Sequence, residues 1–125
     1  MKIFSGIPAL FALSTVNALP SIIQYHFPNA TWEFSLYQNN HCTGEITLFY
    51  GTKGTPCRDA ILNGGALGYI NNKIADSNCT VHLFNDSHCS RNRTVDILGN
   101  EERQTCLVPT WEGSKTQIKS YYVRC

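Results

Sequence analysis

From Trp32 onward the chain runs in short stretches where apolar and polar residues alternate, broken by Gly, Asn and Pro. Trp32-Glu33-Phe34-Ser35-Leu36 predicts a strand with one buried face. Asn39-Asn40 predicts a turn, and Gly44 supplies the positive φ that a folded-over hairpin needs. Residues 45–50 predict a second strand, with Ile46, Leu48 and Tyr50 on one face. Gly51, Gly54 and Pro56 end it, and Cys57 opens a less regular stretch through Ala60, Ile61 and Leu62. Asn63-Gly64-Gly65 marks another turn. Residues 67–79 hold a further short strand and a turn around Asn71-Asn72. Residues 94–98 form a strand with Val95 and Ile97 inward, 99–102 a loop, and 118–125 the last strand. No stretch sustains a 3.6-residue period with caps. The pattern therefore predicts an all-β chain of eight short strands in two equal sets, a Greek-key sandwich.

The two sets share a phrase. Leu36-Tyr37-Gln38-Asn39-Asn40-His41-Cys42 returns 47 positions later as Leu83-Phe84-Asn85-Asp86-Ser87-His88-Cys89. A supersecondary unit used twice explains the repeat. Val81 and Leu83 take the parts of Phe34 and Leu36, and Cys106-Leu107-Val108, closed by Pro109, matches the Cys57 region. The first unit spans 32–79 and the second 80–125, after an arm at 19–31.

The N-terminus reads as a secretion signal. Lys2 is the one charge before Glu33, residues 3–16 are apolar, and Val16-Asn17-Ala18 sets small residues for cleavage after Ala18. This run, broken by Gly6 and Pro8, is too short to span a bilayer as a helix. We expect residues 1–18 to be removed and the product to be secreted and extracellular. The chain carries a net charge of +1, which is no electrostatic reason for nucleic acid as a partner. Arg91 and Arg93 read as a solvated loop.

All six cysteines, Cys42, Cys57, Cys79, Cys89, Cys106 and Cys125, follow the leader and predict three disulfides. Each unit holds three, an odd number, so at least one bridge must join the units, while 15 connectivities remain open. Four N-x-S/T sequons begin at Asn29, Asn78, Asn85 and Asn92. Asn29, Asn85 and Asn92 are the glycosylation candidates, because Asn78 is followed directly by a cysteine expected to be bridged.

Residues 76–84, Asp76-Ser77-Asn78-Cys79-Thr80-Val81-His82-Leu83-Phe84, resemble the junction between the two motifs of a βγ-crystallin domain. Tyr37 through Cys42-Thr43-Gly44 resembles that family's hairpin signature, with Cys42 where an aromatic usually sits. Residues 118–123 resemble its closing strand, with Ser120 as the serine that ties back to the hairpin. In the second hairpin Arg91 stands where glycine is expected, and Asn92 is the residue that could supply the unusual backbone there. The resemblance covers residues 32–125. It implies a βγ-crystallin-like fold in the style of small secreted microbial proteins, fungal ones among them, that act as toxins, effectors or protease inhibitors. It also implies where calcium would sit: Asn71-Asn72-Lys73-Ile74-Ala75-Asp76 matches the family's calcium motif at its first four positions. Asp76 is the one anion there, and calcium wants several carboxylates, so an ordinary turn is the expectation.

The remaining chemistry is sparse. His41-Cys42 and His88-Cys89 match no zinc spacing. Histidines 26, 41, 82 and 88 sit in no hydrolase motif. Trp32, Trp111, Tyr121 and Tyr122 are read as core. We expect no enzyme, no cofactor and a monomer. The expected function is extracellular binding, toxin- or effector-like, to a protein or glycan. The alternative is an inhibitor of a secreted hydrolase, presenting loop 99–105 or 51–56; a small secreted hydrolase ranks below both.

Overall fold

The computed structural model describes residues 27–59, 64–101 and 103–125. The expected leader, residues 19–26 of the arm (His26 with them) and residues 60–63 lie outside the described residues. The described residues form ten strands: β1 (Trp32–Tyr37), β2 (Ile46–Gly51), β3 (Thr55–Arg58), β4 (Gly68–Ile74), β5 (Thr80–Phe84), β6 (Thr94–Leu98), β7 (Arg103–Leu107), β8 (Thr110–Trp111), β9 (Ser114–Lys115) and β10 (Ser120–Arg124). Two antiparallel sheets have the orders β2-β1-β4-β7 and β3-β10-β5-β6, and β8-β9 is a separate hairpin. Each large sheet thus holds three strands of one unit and one of the other. β3 leaves the first unit to pair with β10, and β7 leaves the second to pair with β4.

The units meet about an approximate two-fold axis. Ala66 and Ile118 exchange both backbone hydrogen bonds, at 2.8 and 2.9 Å, each two residues before the closing strand of its own unit. The bridges obey the same symmetry: Cys42–Cys106, Cys57–Cys89 and Cys79–Cys125. Each hairpin cysteine is tied to the strand that the other unit sends across. The third bridge joins Cys79, directly before β5, to Cys125, directly after β10. All three bridges cross between units.

Between the sheets lies one core. Phe34, Leu36, Val81, Leu83 and Ile118 are fully buried, each worth about 1.5–3 kcal/mol of burial. Phe34, Phe49 and Tyr121 form its aromatic centre, with ring centroids 4.7–5.1 Å apart. Burial pushes the Tyr121 phenol up, partly offset by the Arg58 guanidinium.

Several expectations need correction. β1 has no solvent face, since Glu33 and Ser35 are as buried as Phe34. It is a central strand, and its outer face is buried too. On β2, Ile46, Leu48 and Tyr50 do share a face, but Phe49 is the residue that joins the core. On β6, Ile97 points out, 49% exposed, while Leu98 is buried. Both are edge strands with apolar residues on both faces, so alternation is ambiguous and pairing with β1 or β5 selects the phase. β4 runs straight through Asn71-Asn72, accommodating one extra residue as a bulge rather than a turn. Residues 55–58 are a strand despite Pro56, because β3 is an edge. The β8-β9 hairpin was not read from the sequence; Glu112 and Gly113 both take positive φ in its turn, at 52° and 81°.

Candidate functional site

The chain leaving β5 builds a basic cleft. Asn85 is 6% exposed, and its backbone N–H donates to the Arg93 carbonyl at 3.1 Å. Its side chain works in both directions. Oδ1 accepts from Arg93 Nε at 2.6 Å, and Nδ2 donates to Thr116 Oγ1 at 3.2 Å. The Arg93 guanidinium lies 4.4 Å over the Trp111 ring, a cation–π contact. Arg93 ends a 3-10 turn, Arg91–Arg93, whose first turn closes through Arg93 N–H to the Ser90 carbonyl at 2.8 Å. Asp86 orients that turn by accepting from the Ser90 N–H at 3.2 Å, and the Ser90 hydroxyl contact holds its carboxyl below the usual range. Thr116 is fixed by its N–H to the Pro109 carbonyl, and Lys119 by its N–H to the Phe84 carbonyl.

These elements line an open cleft of about 400 Å³ formed by Leu67, Asn85, Arg93, Lys115, Thr116, Gln117 and Lys119. Three of the seven are cations and none is an acid. Arg93 was expected in a solvated loop; Asn85 and Trp111 pin it instead, while Arg91 and Asn92 are exposed. Neither Arg91 nor Asn92 takes positive φ; the 3-10 turn does the work of the missing glycine. A faint sequence signal did exist: no acid follows Glu112, whereas Lys115, Lys119 and Arg124 do.

The other candidates disperse. Asn71 Nδ2 donates to the Gly99 and Glu101 carbonyls at 3.0 and 3.2 Å. Asn72 Oδ1 accepts from Ser35 Oγ at 3.0 Å. Asp76 Oδ1 accepts from the Asn78 N–H in a local turn. The three calcium candidates therefore serve three different neighbours. Among the described residues no group of three or more His, Cys, Asp or Glu could hold a metal ion. Of the sequon asparagines, Asn29 and Asn92 are exposed. Asn85 uses its amide nitrogen inside the cleft wall, so a glycan there is incompatible with this packing. His41 and His88 are exposed beside bridged cysteines.

Of the four aromatics read as core, Trp32 and Tyr121 are core. Trp111 carries Arg93, and Tyr122 stacks on His82 at 4.4 Å on the outer face of β5 and β10. Loop 51–56 exposes Thr52, Lys53 and Gly54, yet it is held at both ends. Trp32 Nε1 donates to the Lys53 carbonyl at 2.9 Å, and the Val123 N–H donates to Thr55 Oγ1 at 3.1 Å. The expected loop 99–105 is shorter than read, since residues 103–105 belong to β7, and Asn71 holds the Gly99 and Glu101 carbonyls before it.

Comparison with known protein families, with curated proteins and with solved structures found no match to this chain. No helix among the described residues is long and apolar enough to cross a membrane.

Proposed function

We propose that this chain is a secreted, disulfide-stapled binding protein, toxin- or effector-like, that acts on an extracellular target. The βγ-crystallin-like reading of its two units draws support from β3 and β7, the strands that each unit sends into the other's sheet. The reading of secretion draws support from the leader-like N-terminus and the three bridges. The observation that carries a binding role is the acid-free basic cleft of the second unit. It is the kind of concave site with a few convergent polar groups that ligands use.

The test is a dose–response of the purified mature protein on a yeast panel and on plant leaf tissue, beside a Lys115→Glu/Lys119→Glu variant. Killing or necrosis by the wild type that the variant loses supports the reading. Equal activity of the variant removes the cleft from it.

A second reading has its own observation. Loop 51–56 is exposed and pinned at both ends, as the binding loop of a hydrolase inhibitor must be. Tight inhibition of a secreted protease, lost when residues 52–54 are scrambled, would establish it. Inhibition that survives scrambling would exclude this loop.

A further inference from the structure

We infer that the cleft of the second unit takes the anionic oxygen group of an acidic sugar chain, a sulfate ester or a uronate carboxylate. This rests on the binding role proposed above and names its ligand class.

The two units differ in charge at equivalent positions. The approximate symmetry maps the Asn85–Arg93 backbone contact onto the Gln38–Glu45 contact, and the Lys119–Phe84 contact onto Leu67–Tyr37. Where the first unit has Glu45 and Leu67, the second has Arg93 and Lys119. The hairpin therefore folds without cations at these positions. The charge is an addition made in one unit.

The central cation of the cleft is pre-organised. Arg93 is fixed through Nε by Asn85 and through its face by Trp111. Its terminal nitrogens keep the fork geometry that suits two oxygens of a sulfate or carboxylate. Thr116 Oγ1 already accepts from Asn85, so its own proton is available to a ligand oxygen. Three like charges around one hollow repel each other, and a bound anion relieves that repulsion.

The mixed lining suits a sugar chain. Hydroxyl and amide groups (Thr116, Gln117) line the cleft together with Lys115 and Lys119, matching a ligand that mixes hydroxyls with acid groups. Nucleic acid would want a long basic stripe along its phosphates. This chain, at a net charge of +1, sets three of its ten Lys and Arg residues around one small hollow.

The experiment is titration calorimetry of the mature, disulfide-intact protein with a heparin tetrasaccharide, a tetragalacturonate, a neutral glucan tetramer and a short RNA. The sulfate and carboxylate arms separate the two sources of the anion. One of the two acidic sugars is expected to bind, the neutral glucan is not, and RNA binds more weakly. Lys115→Gln/Lys119→Gln, at exposed positions, is expected to weaken binding by about tenfold per cation removed with the melting temperature unchanged. Lys53→Gln, outside the cleft, leaves binding unchanged. Binding to neither acidic sugar overturns the inference, as does an undiminished affinity in the double variant or tighter binding of RNA. Cell killing that persists when neither sugar binds overturns the ligand class alone. Sugar binding without any cellular effect overturns the toxin- or effector-like role and leaves the site standing.

Discussion

The hairpin after β1 and the hairpin after β5 begin with the same phrase and fold back onto their own closing strands by different contacts. In the second unit, Ser120 Oγ donates to the Asp86 carbonyl at 2.6 Å and accepts from the Cys89 N–H at 3.2 Å. In the first unit, Gly68 occupies the equivalent place, opposite Tyr37 as Ser120 is opposite Phe84. A Cβ on Gly68 would meet the Asn39 carbonyl oxygen at 2.7 Å and Cys42 N at 3.3 Å, the same two partners. One unit closes by direct backbone approach, the other by an inserted hydroxyl. Both place their cysteine at positive φ, 56° for Cys42 and 55° for Cys89, from which each reaches across to the other unit's strand. The geometry is shared, and the residue that secures it is not.

The largest test of this equivalence removes whole bridges. Replacing Cys42 and Cys106 by Ser, or Cys57 and Cys89 by Ser, is expected to cost about 4 kcal/mol each in urea unfolding. The first pair spans 64 residues and the second 32, a difference of about 0.6 kcal/mol in loop closure. A much larger asymmetry would show that one unit carries the other.

Next comes the exchange at the hairpin floor. Gly68→Ser gives the first unit the residue of the second, yet forces a side chain against backbone, and a loss of about 3 kcal/mol is expected. A neutral result would mean that the loop can lift as its counterpart does. Ser120→Ala strands the Asp86 carbonyl and the Cys89 N–H, at a cost of about 2 kcal/mol. Thermal melts of the two variants side by side decide whether the hydroxyl supports its hairpin or merely fills space.

The smallest expected effect lies on the outer faces. Ser35 and His82 occupy matching places on β1 and β5; Ser35 is buried, whereas His82 is half-buried against Tyr122. Burial, and then the Arg124 charge, hold the imidazole below its ordinary value. The unfolded chain therefore binds this proton more readily than the folded one. The stabilising share is present above the unfolded pKa of about 6.5 and is lost as pH falls through the folded value. Melting temperature should decline between pH 7 and pH 5, and His82→Gln should flatten that decline. An unchanged slope in the variant would assign it to other groups.

The sequence by itself determined that the chain is all-β, that a seven-residue phrase recurs and that three disulfides form, while the resemblance to the βγ-crystallin hairpin implied the tie of Ser120. The all-β class follows from alternation and turn residues, the disulfides from an even cysteine count, and three cysteines per unit require at least one bridge between units. Tertiary structure decided which of the fifteen pairings forms, because bridging depends on which strands the units exchange. It decided the phase of β2 and β6, since an edge strand with apolar residues on both faces takes its register from its neighbour. It also turned Asn71 and Asn72 from a turn and calcium candidate into a bulge whose side chains serve a loop and Ser35. The cleft was the least legible feature. Arg93, Lys115 and Lys119 come from separate segments, and only the packing of Asn85 between Arg93 and Thr116 brings them round one hollow.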